Sequence, residues 1–399
     1  MVTASGLPAS NINLPVSSAT VTVQALDTTL CLYVRSANFL DPVIPGHEAY
    51  NCPVLAFLVT HTAANGSIRR VLFDAGGRKD YWNYSPLVTG RFKSGFNVFG
   101  FTCPKDVNDV LCEAGIMTGG DDHDVEAVVW SHWHFDHIGD MSRFSKGTKI
   151  VVGPGFKANL LPGFPLNPES PLLETDYAGR ELDEITFDSA LRIGAFRAHD
   201  YFGDGSFYLL DVPGHAVGHM CGLARTTEES FVIMGADTCH FAGALRPSPT
   251  VPFPDTFDVN DGLDPVFNSP CPCTMFLDCH PASTDQKSTP YYKASKTPGS
   301  AYVDPHTADM SIAALRDFDA DPNVFVGLAH DPALFEILPL LNTNRYASIN
   351  DWKANGYKAA ARWRFLNELP RNGKPGRPPL VMGWWRGAKR VTVQEAFAR

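Results

Sequence analysis

The run Ser131-His132-Trp133-His134-Phe135-Asp136-His137 constrains this chain more than any other segment. Three imidazoles and a carboxylate fall within six residues, directly after the apolar run Ala127-Val128-Val129-Trp130. Such a run reads as a strand that delivers the backbone to a turn, where four potential ligands converge on one small volume. Alternation puts His132 and His134 on one side, and Asp136 and His137 follow on the turn toward a helix. One pair suits one metal ion and the other pair a second. Imidazole and carboxylate are borderline-to-hard donors that fit zinc. A surface loop that happens to be rich in histidine is the alternative, and His-x-His-x-Asp-His is too narrow a pattern to favour it.

That pattern resembles the metal motif of the metallo-β-lactamase superfamily, whose further ligands arrive downstream at strand ends. Phe207 to Leu210 leads to Asp211-Val212-Pro213-Gly214-His215, which is similar to the family's Pro-Gly-His motif. Phe231 to Ala236 leads to Asp237, and Val324 to Ala329 leads to His330. Burial alone does not explain four apolar runs that each end in a ligand-type residue, because a core strand needs no polar terminus. The resemblance implies His132, His134 and His215 at one zinc, Asp136, His137 and His330 at the second, and Asp237 bridging. Iron-binding relatives of the fold carry an acid where His134 stands, so zinc is favoured. The implied fold is α/β, an αββα sandwich: two mixed β-sheets packed face to face with helices outside. Phe73-Asp74-Ala75-Gly76 resembles the family's Phe-Asp-x-Gly turn, whose Asp accepts a hydrogen bond from a metal-bound histidine and fixes its tautomer.

A net charge of −10 argues against nucleic acid or an anionic membrane as a partner. The sign is uneven. From Arg345 to Arg399 there are 12 Lys+Arg and 3 Asp+Glu, so that stretch is +9 and the preceding body −19. We read 1–399 as a single domain, its core at about 20–340 and a basic, Trp-rich extension over 345–399 packed on it. Nine cysteines without regular spacing suggest free thiols in a reducing compartment, the cytoplasm. Cys271-Pro272-Cys273 with Cys279-His280 matches no zinc knuckle and reads as structural. Met1 to Ser18 lacks a basic n-region and an apolar h-region. No run approaches the roughly 20 apolar residues of a membrane-spanning helix.

Elements follow from periodicity. Val54 to Thr60 and Ile68 to Phe73 flank the hairpin signal Asn65-Gly66. Asp106 to Ala114 is an amphipathic helix with Val107, Val110, Leu111 and Ala114 on one face. Phe196 to Ala198 and Phe207 to Leu210 make a second hairpin across Gly203-Asp204-Gly205. Met310, Ile312, Leu315 and Phe318 mark a helix before the last ligand strand. Arg246 to Pro305, rich in Pro and polar residues, is an ordered excursion over the surface. Tyr81, Trp82, Tyr84, Phe92, Phe96, Phe99 and Phe101, interleaved with Gly95 and Gly100, form either a lid over an apolar ring or a self-packed loop. Leu160, Leu161, Phe164 and Leu166 are a second candidate wall. His219 and Asp331 stand beside ligands and read as supports for them. His47, His61, His123, His199 and His306 read as structural.

Two zinc ions a few ångströms apart can share a hydroxide formed at a pH of roughly 7, which attacks a carbonyl without a covalent intermediate. Asp136 is expected to take its proton and pass it to the leaving group. Further stretches resemble a fungal group of superfamily members related to quorum-quenching N-acyl-homoserine lactonases. They are Leu72 to Asp80, Asp237-Thr238-Cys239-His240-Phe241 with Arg246-Pro247-Ser248, and Asn350-Asp351-Trp352-Lys353 with Arg362 to Leu366. This implies a small-molecule cyclic ester, cyclic amide or cyclic carbamate as substrate and a detoxifying lactonase or lactamase. The alternative is a thioesterase of the glyoxalase II or polyketide-release type, which uses the same seven ligands. The lactonases keep a tyrosine three residues past the bridging Asp, where this chain has His240. We expect His240 at the rim of the site, donating a hydrogen bond to the carbonyl oxygen without binding metal.

Overall fold

Strands that are apolar on both faces explain why four layers form, two sheets face to face with helices outside. The computed structural model describes residues 12–95, 97–117, 124–258 and 261–398. The larger sheet runs Lys389–Val391, Gly383–Arg386, Val98–Thr102, Val21–Arg35, Ala49–Thr62, Ile68–Phe73, Ala127–Val129, Lys149–Val152 and Leu182–Glu184. The smaller runs Val324–Leu328, Phe231–Ala236, Met220–Arg225, Phe207–Asp211, Phe196–Asp200 and Arg192–Ile193. Successive residues of a strand face opposite ways. Val71, Phe73, Ala127 and Val129 therefore meet Leu209, Met220, Val232 and Met234 between the sheets. Leu72, Val128 and Ile150 turn outward under Val107 and Leu111 of the helix Val107–Glu113. On the far side Leu210, Leu223, Ile233 and Val326 lie beneath Ala308, Ile312, Leu315 and Phe318 of the helix Pro305–Ala320. Burial on both faces is why these strands read as continuous apolar runs. Each buried Val, Leu, Ile, Phe or Met among them contributes roughly 1.5–3 kcal/mol, enough for the sequence to fix register.

Both hairpins form, Ala49–Thr62 against Ile68–Phe73 and Phe196–Asp200 against Phe207–Asp211. Asp106 caps its helix through a reciprocal box with Asp109, satisfying two otherwise orphaned N–H groups. Parallel pairing of Phe231–Ala236 with Val324–Leu328 brings both strand ends to one edge of the sandwich.

Three local readings change. The aromatic-glycine segment is not a loop. It holds a 3₁₀ turn at Tyr81–Asn83, the helix Pro86–Lys93 and the strand Val98–Thr102, which pairs with Val21–Arg35; Phe96 lies outside the described residues. The C-terminal extension does more than lie on the body, because Gly383–Arg386 joins the sheet in parallel with Val98–Thr102. Gly100 permits this: a Cβ there would stand 2.2 Å from the Val381 carbonyl oxygen. Finally, the motif turn leads to the 3₁₀ turn Met141–Arg143 rather than to a helix. Gly139, at φ 59°, turns the chain back. Its N–H donates to the Gly76 carbonyl at 2.8 Å, and the Ala75 N–H donates to that of His137 at 2.8 Å.

Candidate metal centre

Polar residues follow directly on buried strands at that edge, and local hydrogen bonds aim each one. Asp74, at φ 63°, begins the turn after Ile68–Phe73. Its Oδ1 accepts from the Ser131 N–H at 2.8 Å and its Oδ2 from His137 Nδ1 at 2.8 Å. His330 Nδ1 donates to the Pro53 carbonyl at 3.0 Å. Since a carboxylate and a carbonyl can only accept, both rings carry their proton on Nδ1 and turn a lone pair on Nε2 inward. His215 follows Gly214, whose φ is 121° and whose Cβ position lies 2.2 Å from the Ala308 nitrogen, so only glycine lets this loop rest on the helix Pro305–Ala320. The Asp237 N–H donates to His219 Nε2 at 3.2 Å, and His219 Nδ1 donates to the Val212 carbonyl at 2.8 Å.

These aims bring all seven predicted ligands together. His132, His134, His215 and Asp237 form one set of donor atoms, and Asp136, His137 and His330 another. His215 Nε2 lies 3.1 Å from His132 Nε2 and 3.0 Å from His134 Nδ1. Asp237 divides its oxygens between the two sets. Oδ2 is 3.3 Å from His215 Nε2 and 3.6 Å from His132 Nε2, while Oδ1 is 3.2 Å from His137 Nε2 and 3.0 Å from His330 Nε2. Asp136 Oδ2 stands 3.6 Å from His330 Nε2 and 3.8 Å from His137 Nε2. Ligand atoms about 2.0–2.1 Å from a tetrahedral ion are about 3.3 Å apart, so these spacings are those of a coordination shell.

The donor chemistry makes the same point. His137 Nε2, His330 Nε2 and Asp237 Oδ1 are buried and make no hydrogen bond. With Nδ1 of both rings already spent, three buried atoms meeting in this way need a cation, a proton or a metal ion, to join them. Burial pushes His134 down to about 3 and holds His132 and His215 well below the usual imidazole range, so this trio presents neutral nitrogens, as ligands must. Burial acts the same way on His137 and His330. There the carboxylates, Asp237, Asp74 and Asp136 at His137 and Asp237 at His330, outweigh it and raise both imidazoles, so this side of the site calls for a positive charge on Nε2 that a proton or a metal ion would supply. For Asp237 burial opposes ionisation, but His137, His330 and His240 hold it well below the carboxylate range. Nitrogen and oxygen donors of this kind fit a divalent metal.

A cavity of about 500 Å³ opens above the donors, with His134, Asp136, Asp237, His240 and His330 on its floor. Leu32, Val34, Phe39, Val88, Phe92, Trp133 and Phe135 make its walls mainly apolar. The excursion supplies one whole side, from Lys296 to Val303.

Several sequence readings shift in this geometry. His240 is not at the rim: it is 2 % exposed, its Nε2 lies 3.0 Å from Asp237 Oδ2, and its Nδ1 lies 2.9 Å from the Tyr302 hydroxyl. Asp331 supports no ligand side chain; it caps the helix Pro332–Ile337 through the Ala333 N–H, and burial pushes its carboxyl up to about 6. Of the aromatic segment, Phe92 reaches the cavity while Tyr81, Phe92, Phe101 and Trp384 pack on one another. Leu160, Leu161, Phe164 and Leu166 do not line the cavity, and Leu166 is 71 % exposed. Cys271, Cys273, Cys279 and His280 join no metal-binding group among the described residues. His47 bonds Tyr292, His61 bonds Asp204, and neither they nor His199 or His306 line the cavity; His123 lies outside the described residues. The sequence reading missed Tyr302, Arg91, Lys296 and Asn38 on the cavity wall. The Nδ2 of Asn38 is buried without a partner.

Two sheets back to back, with a buried His/Asp donor set at their shared edge beneath an apolar cavity, define a metal-dependent hydrolase. Residues 112–235 match the Metallo-beta-lactamase superfamily. The chain is 39% identical to the metallo-hydrolase mfmC of Annulohypoxylon moriforme over 91% of both chains. It is 38% identical to the gamma-lactamase FDB1 of Fusarium pseudograminearum, covering 89% of this chain and 84% of that one. It belongs to the metallo-β-lactamase superfamily. Among solved structures its fold resembles that of B. thuringiensis AiiA with N-decanoyl-L-homoserine bound, at a TM-score of 0.52 and 17% identity over 81% of this chain and 98% of that one.

Proposed function

We propose that the chain is a dinuclear zinc hydrolase that opens a cyclic ester, cyclic amide or cyclic carbamate. His132, His134 and His215 would hold one ion, Asp136, His137 and His330 the other, with Asp237 shared. The observation that carries this is Asp237, which presents one oxygen to each imidazole set at 3.0–3.6 Å. Bound there, a metal pair supplies Lewis acidity at a carbonyl and makes water a nucleophile near neutral pH.

The chain's own groups do the rest. The apolar walls hold a ring and exclude bulk water, which strengthens every charge interaction at the floor. Asp136 faces the cavity and, on this reading, takes a proton from the attacking water at its carboxylate and returns it to the departing ring oxygen or nitrogen. His240 acts through Asp237: the Tyr302 hydroxyl donates to its Nδ1, and its Nε2–H donates to Asp237 Oδ2, fixing that carboxylate. The name gamma-lactamase carried by FDB1 supports a ring carbonyl. A cytoplasmic site of action is part of this reading, supported by nine cysteines that are all free.

A panel of lactones, lactams, cyclic carbamates and thioesters, run beside elemental analysis, tests it. We expect ring opening and about two zinc ions per chain. Turnover of thioesters alone would replace the reading with the thioesterase one, and less than one bound ion per chain would remove the metal assignment.

A further inference from the structure

Two cations face the cavity from separate segments, and the chemistry above uses neither. Arg91 lies in the last turn of the helix Pro86–Lys93, and Lys296 lies in the excursion just after the short strand Lys293–Ala294. Both line the cavity. Both are exposed, whereas the donor set is buried except for the half-buried His134, at which the charge of Arg91 is felt, so the cations stand on the solvent side of the donors. The carboxylates on the cavity wall are Asp136 and Asp237, both committed to the floor. The rest of the wall is mainly apolar, with Leu32, Val34, Phe39, Val98 and Phe135 beside the polar Asn38, Asn97, Thr297 and Ser300.

A helix C-terminus favours a cation, and that would account for Arg91 alone. It does not account for Lys296, which comes from another part of the chain to the same opening. Nor does composition, since acids outnumber Lys and Arg by 43 to 33. An opening with two cations and, among the described lining residues, no acid beyond Asp136 and Asp237 runs against the sign of the molecule, and it would draw in and orient an anion.

We propose that the substrate carries a carboxylate on the side of its ring away from the scissile carbonyl, and that Arg91 and Lys296 read it. The inference rests on the ring-opening reading and narrows its substrate class to anionic cyclic esters and amides. A planar guanidinium fork matches carboxylate geometry, and an ammonium beside it adds charge without demanding a direction. Because both groups touch solvent, each contact is modest and sensitive to salt.

The test compares a benzo-fused lactone bearing a ring carboxylate with its carboxamide counterpart. In the zinc-loaded enzyme the carboxylate form should have the higher kcat/KM, the difference residing in KM. Arg91→Gln and Lys296→Gln should each cut that preference roughly three- to tenfold, Arg91→Lys, which keeps the charge and loses the fork, should retain only part of it, and added salt should erode it. Lys157→Gln removes an exposed cation that does not line the cavity and should leave the preference as it was. Binding supplies a readout independent of turnover. By calorimetry isophthalate, with one carboxylate for the floor and one for the mouth, should bind more tightly than benzoate, and Arg91→Gln should abolish the difference. Equal handling of the two lactones by the wild type, or a preference unmoved in Arg91→Gln and Lys296→Gln, overturns the proposal. If no ring is opened at all, the ring-opening reading fails, and the isophthalate comparison alone decides whether the mouth reads a carboxylate.

Discussion

At the scale of single residues, two side chains on the cavity floor separate chemistry from scaffolding. Asp136 is a member of the second donor set and also faces the cavity. Asp136→Asn keeps its size and one acceptor oxygen while removing the group that moves a proton. Turnover should fall by roughly 10²–10⁴ with the first metal site still filled; unchanged kcat and metal content would remove the role assigned to it. His240 behaves differently because its Nε2 is already engaged by Asp237 at 3.0 Å. A donor spent on a carboxylate cannot also serve a carbonyl oxygen, so its effect should appear first in metal affinity. His240→Ala should weaken binding of the more labile ion by roughly 10–100-fold, the usual cost of losing a partner of a ligand. Tyr302→Phe should move affinity the same way by less, since it removes only the hydroxyl that orients the imidazole. Competition with a chromophoric chelator measures both. A His240→Ala protein with unaltered affinity and a large loss of kcat would restore the rim reading.

Elements show what could be read from sequence and what could not. The donor set was legible because its members follow a buried apolar run within a few residues: His132 after Ala127–Val129, Asp237 after Phe231–Ala236, His330 after Val324–Leu328. A polar residue at the end of such a run is an anomaly that periodicity makes visible. Tyr302 had no such signal. It is set by the Val303 N–H donating to the His215 carbonyl and the Asp304 N–H to that of Gly214, both at 2.9 Å, between segments almost ninety residues apart. The strand Gly383–Arg386 was equally hidden, being four residues long and dependent on a glycine that, read locally, marks a loop. That dependence is testable. Gly100→Ala would drive a methyl into the Val381 backbone and break the pairing of Gly383 with Gly100 and Trp384 with Phe101. We expect a loss of about 1–3 kcal/mol, as for other overpacked sites, with faster proteolysis near residue 380. Gly90→Ala, in the helix Pro86–Lys93 with open space around it, should instead be neutral or stabilising by up to about 1 kcal/mol. If both substitutions behave alike, the C-terminal strand does not hold this sheet edge.

Over the whole molecule, charge explains how a basic extension came to sit in an acidic protein. Arg377 meets Asp264 at 2.6 Å, and Arg364 meets Glu336 at 2.6 Å. More deeply, Arg246 forms a two-pronged pair with Asp319, at 2.8 and 2.7 Å, while its Nη1 donates to the Arg362 carbonyl. That buried pair joins the start of the excursion, the helix Pro305–Ala320 and the helix Tyr357–Arg362. Burial works against ionisation of Asp319, but Arg246 overcomes it and lowers the carboxyl to about 2 from 3.8. The folded value is the depressed one. The unfolded chain therefore binds more protons between the two, and the pair's contribution is complete above about pH 4 and lost as the pH falls toward 2. A shift of this size corresponds to roughly 2–3 kcal/mol. Asp319→Asn should destabilise the protein at neutral pH by about 3–5 kcal/mol, because it strands the Arg246 charge in the interior. Protonating Asp319 strands it likewise. The gap between wild type and Asp319→Asn, followed by urea unfolding of metal-free protein from about pH 6 to about pH 3, should hold steady and then shrink below about pH 4. Metal-free protein keeps any acid-driven release of metal, which ends two-state unfolding, out of both curves. A gap that stays constant across that range would show that Asp319 keeps its ordinary acidity and that the three segments are held together by packing alone.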